Sequence, residues 1–409
     1  MTDLLISETE ISKLLAGMVY TSDHQNAFAA VAMSHLAEPG DRFAGRLTSL
    51  LGMGQTLEFI IHRRSARTLK EQLASSLEEF EHDFNSPIES LWADALERWV
   101  PRLNLNLVRA NLNGFANRSG RLITQDCGYY CQGLFDLEDA KPHLLWMLGK
   151  AETLDFAYSM SIVGSRIATT YGQQVSVDLA EACAEHRVTT VSGGAFGIDT
   201  LVHRASLELE ASTLAILAGG LDRLYPSHNA PLFEQMLRQN ALLAEVPPGV
   251  APAKWRFLMR NRLIAAIGQA TVVVEAGKRS GSMSTANHAI EIGRRVAIVP
   301  GRLYDSSSRG CLDLLRAHPT DVDLLATPQD ALELLGLSAE KFELRESLGA
   351  TDTRALDAFG KRTLTLLDVQ RIAGLTMREA QISVGRLEVD GYLERHSSGY
   401  RKVRHNLET

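Results

Sequence analysis

Cysteine is scarce in this 409-residue chain, with only Cys127, Cys131, Cys183 and Cys311, and only the first two are close together. A C-x-x-x-C pair without a neighbouring Cys or His lacks zinc spacing, so neither a disulfide framework nor a structural metal is expected. Cys183 falls on the apolar face of an expected helix, where a thiol acts as a small hydrophobe. No apolar run approaches the roughly 18 residues of a membrane span. The opening MTDLLISETE carries acids where a secretory signal would carry Lys or Arg, so a cytoplasmic protein without membrane partners is expected. Positive charge is also in deficit: 42 Lys and Arg against 49 Asp and Glu leave a net charge of −7. That balance excludes a general polyanion binder of the basic-tail kind, and any nucleic-acid site must be a local patch. G-x-G-x-x-G after a strand is missing, as is G-x-x-x-x-G-K-S/T. Gly277-Lys278-Arg279-Ser280 only resembles the end of the latter, which disfavours nucleotide hydrolysis by a P-loop. There is no internal repeat of 20 to 50 residues and no low-complexity tract.

The length divides into two or three domains, and 45% hydrophobic with 22% charged residues are ordinary globular values. Residues 1–110 form an expected helical domain of the SAM or helix-hairpin-helix kind. Its segment Glu71 to Glu97 holds eight acids and no Lys or Arg, the pattern of a solvated helix face. Gly52-Met53-Gly54 marks a turn between helices, which can aim N–H groups at phosphate or simply connect. Residues 111–336 alternate short apolar runs with helix-period segments. The runs lie at 160–164, 190–194, 213–220, 242–246, 271–277 and 296–301, and most end in glycine. Buried strands alternating with helices predict an α/β fold, a Rossmann-like doubly wound parallel sheet. Residues 337–352 are expected as a linker. Residues 353–409 read as helix, helix and hairpin, a winged-helix outline.

In such a sheet ligands bind beyond the carboxyl ends of the strands, so the segments after each strand come first. Gly164-Ser165-Arg166 combines close backbone approach, a hydroxyl and a planar cation. Ser192-Gly193-Gly194-Ala195-Phe196-Gly197-Ile198-Asp199 is a second candidate anion cradle, with Asp199 placed to cap the next helix. Glycines after strands also serve plain tight turns, so each loop alone leaves both readings open. From Lys254 to Arg309 ten basic residues face three acids, a surplus of seven in a chain of −7, which predicts a phosphate-backbone footprint that includes Lys278. Arg260-Asn261-Arg262 is expected at the start of a helix, adding the helix dipole to two guanidiniums. Trp255 and Phe257 interleave with these cations and suit either base stacking or core anchoring. No acid–base pair stands out. Glu275 at a strand end could hold a ribose hydroxyl, act as a base or orient neighbours, and His203 has at most a minor role.

The order of these motifs resembles the DNA-processing protein A (DprA/Smf) family. The resemblance rests on Ile162 to Arg166, Ser192 to Asp199 with His203, Gly219-Gly220-Leu221-Asp222 with Tyr225-Pro226, Phe257 with Arg260-Asn261-Arg262, Val274-Glu275-Ala276 with Ser280-Gly281-Ser282 and Thr285-Ala286, and Val299-Pro300-Gly301. It implies a homodimeric, Rossmann-like single-stranded DNA binder that loads a RecA-type recombinase during natural transformation, with no catalytic reaction and no cofactor. By position it implies backbone contacts from Ser165, Arg166, Lys254, Arg260, Asn261 and Arg262 with Phe257 nearby. Loop-shaping roles fall to Gly164, Gly193, Gly194 and Gly197, and an anion pocket is completed by Ser280, Gly281 and Thr285. The chain departs from the pattern at Cys131 and Gln132, at Leu258 and at Gly194, where proline, proline and leucine are usual. The alternative is a nucleotide or nucleoside N-glycosidic hydrolase on a related fold, with Glu275 as acid or base. The P-G-G-x-G-T-x-x-E signature of such enzymes is missing. A third reading gives duplex DNA to the C-terminal region, where residues 361–409 hold nine basic residues and six acids.

Overall fold

The computed structural model describes residues 7–150, 152, 156–337, 349–360, 362–389, 392–396 and 399–402. Chain contacts divide it into two compact units, residues 1–339 and 340–409.

All six expected strands form, and they join three others in one sheet. The strands are β1 (Arg121–Thr124), β2 (Leu144–Gly149), β3 (Ser159–Val163), β4 (Thr189–Ser192), β5 (Thr213–Leu217), β6 (Ala241–Ala244), β7 (Ala270–Val273), β8 (Arg295–Ile298) and β9 (Val322–Leu324). Their spatial order is β1-β2-β6-β5-β4-β3-β7-β8-β9. From β6 across to β9 every neighbouring pair is parallel, as in β3 against β7 with Ile162 opposite Val272. β2 runs antiparallel to β6, and β1 to β2.

Alternation along each strand sends successive side chains to opposite faces. In β3, Met160 and Ile162 join one core and Val163 the other. Helices Thr170–Glu185, Ile198–Glu208 and Ala230–Gln239 connect β3 through β6 and bury Leu179, Ile198, Val202, Phe233 and Met236 on the first face. Helices Lys254–Ile267, Ser282–Glu291 and Arg309–Ala317 connect β6 through β9 and bury Leu263, Ala286 and Leu314 on the second. The helices of residues 8–116 share their core with Trp146 of β2 and Leu242 of β6, so contact alone places them in the same unit as the sheet. Gly52, at φ +82°, is the whole turn between helices Arg42–Leu51 and Met53–Ile61, and Gly54 already lies inside the second helix.

The chain lays down β3, β4, β5 and β6 in one direction, then returns through Lys254–Ile267 to set β7 on the other side of β3. The order therefore reverses between β3 and β7. Connections from those two strands leave in opposite directions and open a crevice beyond their carboxyl ends.

The second unit holds helices Ala350–Ala358, Leu366–Ala373 and Met377–Val389, then the hairpin β10 (Leu393–His396) and β11 (Gly399–Lys402). Thr365 and Asp368 close a capping box on the middle helix, and Gly374 at φ +61° ends it. Phe359, Val369, Val384, Leu387 and Leu393 form its core. Of the expected linker, residues 338–348 lie outside the described residues, and residues 350–352 already belong to the first helix. Gly391 and Val403, expected in the hairpin, also lie outside them.

Candidate nucleic-acid interface

An open cleft of ≈ 1460 Å³ occupies the crevice. It is lined by the loop after β3, the exposed face of the N-terminal half of Lys254–Ile267, the loop after β7, and residues 305–307 after β8.

The loop after β3 is fixed by two glycines. A Cβ on Gly164 would stand 2.5 Å from Ile198, and one on Gly197 would stand 2.2 Å from the Ser165 carbonyl, with φ already at +77°. The Ser165 hydroxyl turns back on its own loop: it donates to the Ile167 carbonyl at 2.8 Å and accepts the Ile167 N–H at 3.1 Å. Ser165, a candidate backbone contact, thus shapes its own loop while lining the cleft. Arg166 is exposed and its guanidinium lies 5.7 Å from the Phe257 ring centroid. The far end of the loop is held by Glu275, whose carboxylate accepts the Thr169 N–H at 3.0 Å and its hydroxyl at 2.5 Å. Glu275 is buried, and its carboxylate, which the hydrolase alternative casts as acid or base, is engaged by Thr169.

Helix Lys254–Ile267 begins six residues before Arg260, so Arg260-Asn261-Arg262, expected at a helix start, lies instead in the helix interior. The helical repeat turns Lys254, Phe257, Leu258, Asn261 and Ile264 into the cleft. Arg260 reaches the cleft floor. It donates to the carbonyls of Gly193 and Ile216, at the ends of β4 and β5. Burial lowers its pKa to about 10 against the opposing charge of Asp199, so it remains a cation at neutral pH. Gly193 leaves the room for that guanidinium, because a Cβ there would stand 2.5 Å from Nη2. Gly194, at φ +64°, would drive a Cβ to 2.7 Å from Phe233. Asp199 does not cap its helix. Its carboxylate accepts the N–H groups of Gly193 and Ala195 at 3.1 and 3.3 Å, and burial pushes its pKa up. Asn261 donates to the Gly281 carbonyl at 3.1 Å and ties this helix to the loop after β7.

Arg262 lies on the other side of the helix. Only 3% of its side chain is exposed, and it makes two bonds of 2.8 and 2.7 Å to Glu245 and two more to the Ala140 carbonyl. It is a structural ion pair and not a backbone contact. The same holds for much of the basic surplus: Arg256 pairs with Glu38, Arg294 with Asp136, Arg295 with Asp323 and Arg309 with Asp313. Trp255 is 42% exposed away from the cleft lining, with the Arg256 guanidinium 4.6 Å from its ring centroid. The cations left without a carboxylate partner among the described residues include Arg166, Lys254, Lys278, Arg279 and Arg302.

After β7, Lys278 and Arg279 are exposed at the cleft edge. The hydroxyls of Ser280 and Ser282 bond each other at 2.7 Å, Gly281 precedes helix Ser282–Glu291, and Thr285 is buried in the cleft wall. His203 lies outside the cleft, fully buried, with Nδ1 bonded to the Thr213 hydroxyl at 2.8 Å. Sequence reasoning did not assign Tyr225, whose half-exposed ring lies 5.8 Å from Phe257, nor Ile167 and residues 305–307. Their signal was positional, since each follows the carboxyl end of a strand. The cleft thus offers exposed cations around aromatic rings, a surface for phosphates and unpaired bases. Among the described residues no cluster of His, Cys, Asp or Glu is arranged to hold a metal.

A family model described as DNA recombination-mediator protein A matches residues 121–335. A DNA processing protein DprA of Mycobacterium tuberculosis is 42% identical over 246 residues, covering 58% of this chain and 62% of that protein. DprA of Bacillus subtilis is 38% identical over 175 residues, covering 43% and 59%. The chain therefore spans about six tenths of the length of these relatives. The X-ray structure of DNA processing protein A from Streptococcus pneumoniae superposes with a TM-score of 0.53 at 28% identity, covering 64% of this chain and 91% of that one. The ordered motifs, the reversal between β3 and β7 and a match across more than half of the residues converge: the chain belongs to the DNA recombination-mediator protein A family.

Proposed function

We propose that the cleft binds single-stranded DNA and that the protein works as a recombination mediator, a binding protein and not an enzyme. One observation carries this reading. Arg166, Lys254, Lys278 and Arg279 line the cleft without carboxylate partners among the described residues, together with the half-buried ring of Phe257 and the half-exposed ring of Tyr225. Cations track a phosphate backbone, and aromatic faces take bases only when these are unpaired. The names of the family model and of the relatives support the biological setting, DNA processing in recombination. Loading of a RecA-type recombinase, a homodimeric state and a role in natural transformation extend the proposal, supported by the family resemblance. A cytoplasmic location fits, and no helix among the described residues is long and apolar enough to cross a membrane. Three helices followed by a hairpin support reading the second unit as a winged helix, and the all-helical start supports an accessory domain at residues 1–110.

Fluorescence anisotropy of labelled oligothymidine and of a duplex of equal length, each at several salt concentrations, tests the reading. Single strands should bind in preference, with log K falling against log salt at a slope of about −2.8 if the four cleft cations each meet one phosphate. Arg166→Ala should weaken binding and flatten that slope by about 0.7. Equal duplex binding, or affinity unchanged in Arg166→Ala, overturns the assignment.

A further inference from the structure

The cleft has a lip that the cation count does not use. Ile167 is 85% exposed, Leu303 66% and Tyr304 95%, three large apolar side chains on the loops after β3 and β8. Scattered exposed apolar groups are ordinary, but large apolar side chains on two loops that both border a binding cleft mark an interaction surface. Both loops are tied by hydrogen bonds. The Ser165 hydroxyl engages both backbone groups of Ile167. The second loop is tied at its start by the Tyr171 hydroxyl, which donates to the Pro300 carbonyl at 3.0 Å, and at its end by the Gly310 N–H on the Ala276 carbonyl at 2.7 Å. Between these ties the Asp305 N–H bonds the Arg302 carbonyl, and the Ser308 N–H bonds the Asp305 carbonyl, both at 3.1 Å. The apolar side chains are therefore presented to solvent by ordered backbone.

We propose that Ile167, Leu303 and Tyr304 form a second base-stacking site, continuing a single strand beyond Phe257; this rests on the cleft binding single-stranded nucleic acid as argued above. The lip is continuous with the cleft, since Ile167 and residues 305–307 line it directly. Two of the apolar groups follow a cation in sequence, Ile167 after Arg166 and Leu303 after Arg302, and Lys278 and Arg279 stand on the loop after β7. A surface alternating cation with apolar face matches a polymer that alternates phosphate with base. Asp305 sets the polarity of the path. Its carboxylate disfavours phosphate at the lip, so the backbone follows Lys278 and Arg279 while the bases turn to Tyr304 and Ile167. A duplex cannot use the lip, because its bases are already stacked inside.

The test compares oligothymidine with an abasic oligomer of equal length, using the full chain, Tyr304→Ala, Tyr304→Phe and Arg166→Ala. Tyr304 is so exposed that its replacement leaves the fold intact, which circular dichroism verifies. Tyr304→Ala should bind oligothymidine about tenfold more weakly with an unchanged salt slope, bind the abasic strand as the parent does, and be restored by Tyr304→Phe. Arg166→Ala should weaken binding of both strands. Parent-like oligothymidine binding by Tyr304→Ala, or an equal loss on the abasic strand, overturns the second site and leaves the cleft reading standing. Failure of the parent chain to bind any single strand overturns both.

Discussion

Arg166 and Arg262 carry the same guanidinium and were equal candidates in the sequence, yet their surroundings give them opposite roles. Arg166 is exposed over Phe257, free to meet a phosphate. Arg262 is sealed against Glu245 and the Ala140 carbonyl. Removing one member of a buried pair leaves the other charge uncompensated, which costs far more than the pair itself contributes. Arg262→Ala should therefore destabilise the fold by about 3 kcal/mol in urea unfolding. If its midpoint stays at the parent value, the ion pair is not structural. Gly193 follows the same logic, because its missing side chain is the space that Arg260 occupies.

At the scale of the element, the loop after β3 is a part built by its neighbours. Glu275, at the end of β7, holds the N–H and hydroxyl of Thr169, while that hydroxyl also accepts the Gly172 N–H to cap helix Thr170–Glu185. Gly172 exists for this contact, since a Cβ there would stand 2.5 Å from the Glu275 carboxyl. One carboxylate thus orders both a helix cap and the segment carrying Arg166. Glu275→Ala should cost about 2 kcal/mol, speed hydrogen exchange across residues 165–170, and weaken oligothymidine binding several-fold through lost preorganisation. Glu275→Gln, whose amide can accept the N–H and donate to the hydroxyl, should stay close to the parent. A parent-like exchange rate in Glu275→Ala would refute the brace.

Across the whole molecule, the sheet interior stores a pH dependence. His203 is fully buried between helix Ile198–Glu208 and β5, and burial, with the Arg260 charge adding to it, lowers its pKa to about 3. Unfolding exposes an ordinary imidazole near 6.5. As pH falls below about 6.5 the unfolded chain gains a proton that the folded one refuses, so stability drops, and the loss continues down to the folded pKa. The slope contributed by this one residue approaches about 1.4 kcal/mol per pH unit. Urea titrations of the parent and of His203→Gln between pH 7.5 and 5 isolate it from other titrating groups. The gap between the two should narrow as pH falls, and a constant gap would rule out the buried neutral imidazole.

The sequence by itself determined the α/β alternation, because buried parallel strands must be apolar, and a strand that turns straight into a helix needs small residues at the turn. It marked the loops of the cleft for the same reason, since Gly164, Gly193, Gly194 and Gly197 stand where no side chain fits. β1 and β2 escaped that reading because they pair antiparallel through a connection that holds only a 3-10 turn, and so leave no strand-helix rhythm. Only the tertiary structure decided which cations are free. Glu38, Asp136, Glu245 and Asp323 lie 17 to 218 residues away from the arginines they neutralise. Charge pairing depends on distance in space, and linear order carries no measure of it.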